Sequence, residues 1–140
     1  MILGVGTDMV DVTRIAAALE DHSQKFKHRV FTPAEQDYAE ARPNPSAAYA
    51  KRFAAKEAFA KALGVGLKGL GAGHDQGVSF TDIEISNNDL GKPVIKVSEA
   101  ISDMLAKQAG AAGVHGGAKI HLSLSDELPF ASAYVIIEVI

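Results

Sequence analysis

The sequence predicts an α+β fold, with a small, mainly antiparallel sheet packed against helices. Helical and strand-like patterns come in runs along the chain rather than in strict alternation, which is typical of α+β proteins. Two pairs of strand-like segments are each joined through a short polar or proline-containing turn, as in antiparallel hairpins. The chain has 140 residues, with no internal repeat and no separating linker. We therefore expect residues 1–140 to form one domain.

The elements follow from hydrophobic periodicity and from glycine and proline breaks. In order, they are a buried strand over residues 1–8, a helix around 15–19, helices over 32–41 and 46–64, strands over 78–85 and 92–97, a helix over 98–108, and strands over 118–125 and 131–140.

Several of these boundaries rest on turn and capping residues. The first strand should end at Thr7-Asp8, and the segment TPAE from Thr32 is a strong helix start with a capping box. Ser46 can cap the central helix, which Gly64 should end in the left-handed conformation, and Gly110 should close the later helix. Residues 64–77 hold six glycines and should be irregular.

Composition excludes several classes of function. The chain has no cysteine, so it has no disulfide framework, zinc-thiolate site or cysteine nucleophile. Its formal charge of -3 gives no global reason to expect nucleic acid as a partner. Acidic residues follow soon after the first apolar residues, and no apolar run is long enough for a membrane span. We expect a cytoplasmic protein without a membrane partner.

The central helix does not separate its charges onto one face. The stretch KRFAAKEAFAKALGVG, residues 51–66, carries Arg52, Lys56, Glu57 and Lys61 among many alanines. A surface helix normally shows one apolar stripe and one charged face. Glu57 and Lys61 could simply form an exposed i, i+4 pair worth about 0.2 to 0.5 kcal/mol. The alternative is a closely packed helix that forms one wall of a site.

A second carboxylate favours the site. Asp8 stands in an apolar segment where an ionised carboxylate needs a partner or a metal. Mg²⁺ takes oxygen ligands, and one or two carboxylates together with substrate phosphates complete its coordination. Lys61, one turn from Glu57, adds a compact positive charge for phosphate. These three residues predict a magnesium and phosphate site.

The motifs resemble those of the holo-acyl-carrier-protein synthase family of phosphopantetheinyl transferases. GVGTDMVDVTRI at the amino terminus, RFAAKEAFAKALGVG in the middle, and DIEI followed by GKP stand in the family's order and approximate spacing. The resemblance implies an enzyme that transfers the 4'-phosphopantetheine arm of coenzyme A to a serine of apo-acyl carrier protein, releasing adenosine 3',5'-bisphosphate. It also implies the family's fold and a homotrimer with active sites at the subunit interfaces.

The resemblance assigns roles residue by residue. Asp8 and Glu57 match the magnesium ligands, and with Lys61 they form the expected catalytic set. Further residues are expected to contact coenzyme A: Lys61, Arg52, Gly64, Gly91, Lys92 and Pro93. Four basic residues are expected to meet the carrier protein: Arg14, with Lys25, Lys27 and Arg29 as helpers.

The expected chemistry is attack of the carrier serine on the phosphorus that bears the pantetheine arm. Magnesium and Lys61 offset charge on the pyrophosphate, which is the main task in phosphoryl transfer. Glu57, directly or through a metal-bound water, is the candidate for positioning the base.

One residue departs from the family pattern. Asp126 stands where many relatives have a histidine. A carboxylate at this place would repel the pyrophosphate unless the carboxylate were protonated or bound to a metal. We assign Asp126 no binding role. Two alternatives therefore stay open: a magnesium-dependent hydrolase of a nucleotide pyrophosphate, and a module that binds carrier protein without modifying it.

Overall fold

The computed structural model describes residues 1–21, 23–67 and 77–140. The described helices are α1 (Val12–Asp21), α2 (Ser23–Val30), α3 (Pro33–Glu40), α4 (Pro45–Leu63) and α5 (Glu99–Ala111). The described strands are β1 (Ile2–Asp11), β2 (Ile83–Asn87), β3 (Pro93–Val97), β4 (Ala118–Glu127) and β5 (Phe130–Val139). A 3-10 turn over Phe80–Asp82 precedes β2. The predicted α+β class is confirmed.

The strands form two antiparallel sheets. One sheet has the order β1-β5-β4, and the other is the β2-β3 hairpin. The amino-terminal strand thus pairs with the carboxyl-terminal strand, with Asp8 opposite Ala133 and Val5 opposite Ile136. Both predicted hairpins are present. The two hairpins lie in separate sheets, whereas the sequence predicted a single sheet.

Helix α4 packs directly across the larger sheet. A side chain at Gly4 or Gly6 of β1 would collide with the carbonyl oxygen of Ala62 or Ala58, so only glycine permits this close approach. Buried alanines on the helix and alternate residues of β5 complete the interface. This packing fixes the strand that carries Asp8 against the helix that carries Glu57.

The mixed charge pattern of α4 has a structural cause. Thirteen of the nineteen residues of this helix are buried, and they include Arg52 and Lys56. The hydrophobic core surrounds the helix with residues of the larger sheet, of α1 to α3 and of the β2-β3 hairpin. Because α4 is enclosed on several sides, its charged groups reach partners inside the protein instead of one wet face.

Some predicted boundaries were wrong. Strand β1 continues past Thr7 to Asp11, so Asp8 lies inside a strand and not at its end. Pairing with the whole of β5 accounts for the extra length, and only Gly6 and Val10 of β1 are buried. The first helix begins at Val12, and Asp11 accepts a hydrogen bond of 2.9 Å from the backbone N–H of Thr13.

Helix α2 was missed by the sequence analysis, which found no helix over residues 23–30. Its sequence SQKFKHRV is short and strongly polar, with Phe26 and Val30 as its only large apolar residues. Phe26 and Val30 are buried in the core and hold it in place. Tertiary packing thus overrides a weak local signal.

The capping predictions were partly right. The capping box from Thr32 to Glu35 is present, and Gly64 ends α4 with a φ of 79°. The cap of α4 is Asn44, not Ser46, because Pro45 occupies the first helical turn. Gly110 lies within α5, and Gly113 takes the left-handed conformation instead. Of the glycine-rich segment predicted to be irregular, residues 68–76 lie outside the described residues.

Within the described ranges, none of the helices has both the length and the apolar character that crossing a membrane requires. The cytoplasmic location stays a prediction.

Candidate active site

Asp8 of β1 and Lys61 of α4 meet at one edge of the sheet. The Lys61 ammonium donates hydrogen bonds to Oδ1 of Asp8, at 3.1 Å, and to the carbonyl oxygen of Thr7, at 3.0 Å. The Asp8 side chain is 16% exposed and the Lys61 side chain is 56% exposed. The carboxylate is therefore held inside the site, while the cation remains open to a ligand.

Glu57 lies one helical turn before Lys61 and is half-buried. Burial raises the pKa of the Glu57 carboxyl above its ordinary value, and the negative charge of Asp8 raises it further. Lys61 acts in the opposite direction. Asp8 and Glu57 line the same cavity, so the two carboxylates face a common space.

The donor set fits magnesium supported by a substrate. Within the described part of the chain, no group of three or more His, Cys, Asp or Glu side chains could enclose a metal ion. Asp8 and Glu57 would supply two carboxylates, which leaves positions for water and phosphate oxygens. This open arrangement suits Mg²⁺ better than a metal that requires a complete protein shell.

Two cavities meet at Glu57. The first cavity has a volume of about 400 Å³ and lies between β1, α1, α2 and α4. It is lined by Asp8, Met9, Val10, Arg14, Ile15, Ala18, Phe26, Phe53 and Glu57. The second cavity has a volume of about 210 Å³ and lies on the Lys61 side. It is lined by Glu57, Ala60, Lys61, Val65, Gly66, Leu67 and Phe80. Two reactants could thus approach the same carboxylate from two sides.

The predicted carrier-binding residues fall in two places. Arg14 is exposed and lines the first cavity together with Asp8 and Glu57. Lys25, Lys27 and Arg29 lie on α2, the helix that contributes Phe26 to the same cavity. Lys27 is ion-paired with Glu40 at 2.8 Å, so its charge is already used within the fold.

Arg52 is placed far from Lys61. The two residues are nine positions apart on α4, about 13 Å along the helix axis. The Arg52 guanidinium is buried, lies 3.8 Å from the centroid of the Tyr38 ring, and donates a hydrogen bond of 2.8 Å to Oδ1 of Asn87. Burial lowers the pKa of Arg52, and its Nε finds no hydrogen-bond partner among the described residues.

Asn87 connects Arg52 to the predicted GKP segment, a link that no sequence pattern indicated. Its Nδ2 donates a hydrogen bond of 3.0 Å to the carbonyl oxygen of Gly91. Gly91 has a φ of 85° in the β2-β3 turn, Lys92 is exposed, and Pro93 begins β3. The coenzyme candidates therefore form two groups: Lys61 and Gly64 at one end of α4, and Arg52 with residues 91–93 towards the other.

Asp126, the residue that departs from the family pattern, lies near the amino-terminal half of α4. Its Oδ1 is 3.8 Å from Nζ of Lys51. The carboxylate thus has a cationic neighbour in its own chain, and the two side chains are partly exposed.

Two carboxylates and a lysine thus lie between two cavities of an α+β fold, an arrangement that suits a substrate bearing phosphate. The model of the 4'-phosphopantetheinyl transferase superfamily matches residues 4–122. The chain is 46% identical over 138 residues to the holo-[acyl-carrier-protein] synthase of Bartonella bacilliformis, covering 99% of this chain and 96% of that protein.

Two solved structures extend the similarity to the fold. The holo-[acyl-carrier-protein] synthase of Neisseria meningitidis superposes with a TM-score of 0.76 at 38% identity, covering 99% of each chain. The holo-(acyl-carrier-protein) synthase of Bacillus anthracis, solved in complex with CoA (3',5'-ADP), superposes with a TM-score of 0.69 at 33% identity, covering 99% of this chain and 98% of that one. The chain belongs to the 4'-phosphopantetheinyl transferase superfamily, and within it to the holo-[acyl-carrier-protein] synthase type.

Proposed function

We propose that this protein transfers the 4'-phosphopantetheine group of coenzyme A to a serine of apo-acyl carrier protein. Adenosine 3',5'-bisphosphate is the leaving product. The observation that carries the proposal is the cluster of Asp8, Glu57 and Lys61, which lies where the two cavities meet. Full-length similarity to holo-[acyl-carrier-protein] synthases supports the same activity.

Asp8 and Glu57 would hold the magnesium ion, and bound magnesium would neutralise charge on the pyrophosphate of coenzyme A. Burial is the main cause of the raised pKa of Glu57, and the neighbouring charge of Asp8 adds to it. Lys61 offsets part of this charge by its hydrogen bond to Asp8. The site thus has a surplus of negative charge, which a divalent cation would balance.

Lys61 is suited to hold a phosphate oxygen. A lysine ammonium has three hydrogens to donate, and Lys61 uses two of them on Thr7 and Asp8. These two bonds aim the third hydrogen away from the strand, and the side chain lines the second cavity. We assign the second cavity to the donor, coenzyme A.

Glu57 is the candidate acceptor of the serine proton. A glutamate carboxylate can accept a proton directly or through a metal-bound water, and Glu57 borders the cavity assigned to coenzyme A. Glu57 also lines the first cavity, which we assign to the carrier protein. The serine hydroxyl would enter from that side, lose its proton towards Glu57 and attack the phosphorus from the first cavity.

Arg14 would guide the carrier protein to this opening. It is exposed at the rim that Asp8 and Glu57 share, where a cation attracts an acidic protein surface. Lys25 and Arg29 would assist from α2, the helix that contributes Phe26 to the same cavity. Lys27 would contribute less, because it is already paired with Glu40.

A homotrimer is part of the proposal. The side of the larger sheet that faces away from α4 presents Val5, Met9, Phe130 and Tyr134, which are between 45% and 68% exposed. Exposed apolar patches of this kind typically mark association surfaces.

Residues 1–140 would form a single domain in each subunit. Assembly would also allow residues 91–93 of one subunit to serve coenzyme A bound at Lys61 and Gly64 of another, and Arg52 would support them through Asn87.

The test is the intact mass of an apo-acyl carrier protein after incubation with this protein, coenzyme A and magnesium. A gain of one phosphopantetheine that chelation abolishes is the expected result. Consumption of coenzyme A with no change in the carrier would indicate a hydrolase. Carrier binding with no mass change and no loss of coenzyme A would indicate a binding module. Either of these two outcomes would overturn the proposal.

A further inference from the structure

Lys56 precedes Glu57 on α4 but points into the protein interior. Its side chain is 0% exposed. The ammonium donates hydrogen bonds to Oε1 of Glu35, at 2.6 Å, and to the carbonyl oxygens of Val30, at 2.6 Å, and Phe80, at 3.0 Å. All three hydrogens of the ammonium are therefore used, and its position is fully determined.

Glu35 completes the arrangement from the other side. Its Oε1 also accepts a hydrogen bond from the backbone N–H of Thr32, and its Oε2 accepts one of 2.8 Å from the N–H of Ile85. The buried pair of Lys56 and Glu35 thus joins the end of α2, the start of α3, the middle of α4, the 3-10 turn and β2. The pair connects segments that are distant in sequence.

The bond from Lys56 to Phe80 reaches the candidate active site. The Phe80 ring stacks on Phe53, with centroids 5.6 Å apart and planes inclined by 22°. Phe80 lines the second cavity and Phe53 lines the first. The stacked rings therefore form part of the wall on each side of Glu57, and Lys56 holds the backbone of one of them.

The base of the second cavity is attached to the same turn. Val78, two residues before Phe80, donates a backbone hydrogen bond of 3.0 Å to the carbonyl oxygen of Gly66. Gly66 and its neighbours Val65 and Leu67 line the second cavity. Displacement of Phe80 would consequently shift two sides of this cavity.

Stability alone is a weak reason for such a pair. The Lys56 ammonium and the Glu35 carboxylate are both fully buried, so each has lost its hydration and depends on the other and on backbone hydrogen bonds. Replacing a buried ion pair by uncharged residues of similar size is often neutral for stability, whereas removal of one partner is strongly destabilising. A buried pair can instead define one arrangement of the segments around it.

We infer that Lys56, paired with Glu35, is a positioning residue that sets the shape of the second cavity through Phe80. This inference rests on the proposed function, since it assigns that cavity to coenzyme A. Lys56 touches neither reactant. Its effect should appear in the binding of coenzyme A and not in the chemistry at Glu57.

The experiment compares the wild type with the double variant Glu35→Gln/Lys56→Met, which removes both charges and leaves neither partner alone. We expect the double variant to fold, with the KM and the calorimetric Kd for coenzyme A each raised about tenfold and kcat little changed. Tyr49→Phe is the matched control, because it removes a polar tertiary bond of α4, to Oε1 of Glu40, between residues that line neither cavity. Its affinity for coenzyme A should equal that of the wild type.

A third variant tests the route through the aromatic ring. Phe80→Leu should raise the KM for coenzyme A to a similar extent, and its combination with the double variant should add little. A double variant that folds and binds coenzyme A like the wild type would overturn the inference, as would fully additive effects. If the wild type itself transfers no phosphopantetheine, the proposed function fails instead, and the two failures are thereby distinguished.

Discussion

The ammonium of Lys61 lies 3.1 Å from Oδ1 of Asp8, although the two residues are 53 positions apart in the chain. Strand β1 brings Asp8 to this position, and the close packing of two glycines on α4 holds it there. Glu57 lies one turn before Lys61 on α4, so the helical repeat brings its side chain to the same face of the helix. The charged cluster is thus a direct product of one strand packed on one helix.

Glu57→Gln should lower magnesium-dependent turnover about a hundredfold or more, because it removes one carboxylate from the cation and from the serine proton. Asp8→Asn should act in the same way. Turnover measured across a magnesium titration checks this expectation. Asp103→Asn, an exposed change on α5, is the matched control and should leave the rate unchanged. Normal rates for Glu57→Gln at saturating magnesium would contradict the assignment.

Glu57→Gln should also stabilise the folded protein when no metal is present. The raised pKa of Glu57 means that the folded state binds this proton more tightly than the unfolded chain does. The contribution of this carboxyl to stability is therefore present below the unfolded pKa and is lost as the pH rises through the folded pKa. Glutamine avoids this loss because it never ionises.

Melting temperatures in chelator, measured from about pH 3 to pH 8, test this linkage. The Glu57→Gln variant should melt higher than the wild type at neutral pH. The difference should shrink as the pH falls towards the ordinary range of glutamate, where the wild-type carboxyl is also neutral. Added magnesium should raise the melting temperature of the wild type alone. A variant that melts lower than the wild type at neutral pH would argue against an unfavourable charge at Glu57.

Lys61→Met should weaken coenzyme A binding about tenfold to a hundredfold, because a hydrogen bond from an ammonium to phosphate contributes about 1.5 to 3 kcal/mol. Calorimetric titration of coenzyme A measures the effect. Lys96→Met changes an exposed lysine on β3 and serves as the control. Unaltered affinity in Lys61→Met would remove this lysine from the phosphate site.

Arg14→Glu should raise the KM for the carrier protein about tenfold, while the Kd for coenzyme A stays near the wild-type value. The charge reversal places a repulsive group at the rim of the first cavity. The defect should diminish at high salt, since exposed charges are screened. Lys107→Glu makes the same reversal on α5, where we expect no effect. A loss confined to coenzyme A binding would contradict the role of Arg14.

Tyr134→Glu should dissociate the proposed trimer, because it places a charge among the exposed apolar side chains on the side of the larger sheet that faces away from α4. Molar mass by light scattering distinguishes a trimer from single chains. Lys96→Glu provides a charge-reversal control on the other sheet. A wild-type protein that runs as a single chain would refute the trimer outright.

Much of the local structure could be predicted from the sequence. The capping box at Thr32 and the left-handed Gly64 depend on residues a few positions apart, so short segments already determine them. The α+β class and both hairpins follow from hydrophobic periodicity. Helix α2 was missed because its polar sequence becomes helical only when Phe26 and Val30 enter the core.

The candidate site divides in the same way. The sequence by itself determined which residue types are available: Asp8, Glu57 and Lys61 are the types that the proposed magnesium and phosphate site requires, and the family motifs contain them. Only the tertiary structure decided which charges share a site. The fold placed Arg52 with Tyr38 and Asn87, and it placed Lys56 with Glu35 in the core. Both cations nevertheless belong to the same helical segment as Glu57. The physical reason is that α4 is enclosed on several sides, so the element that packs against each face selects the partner of each charge.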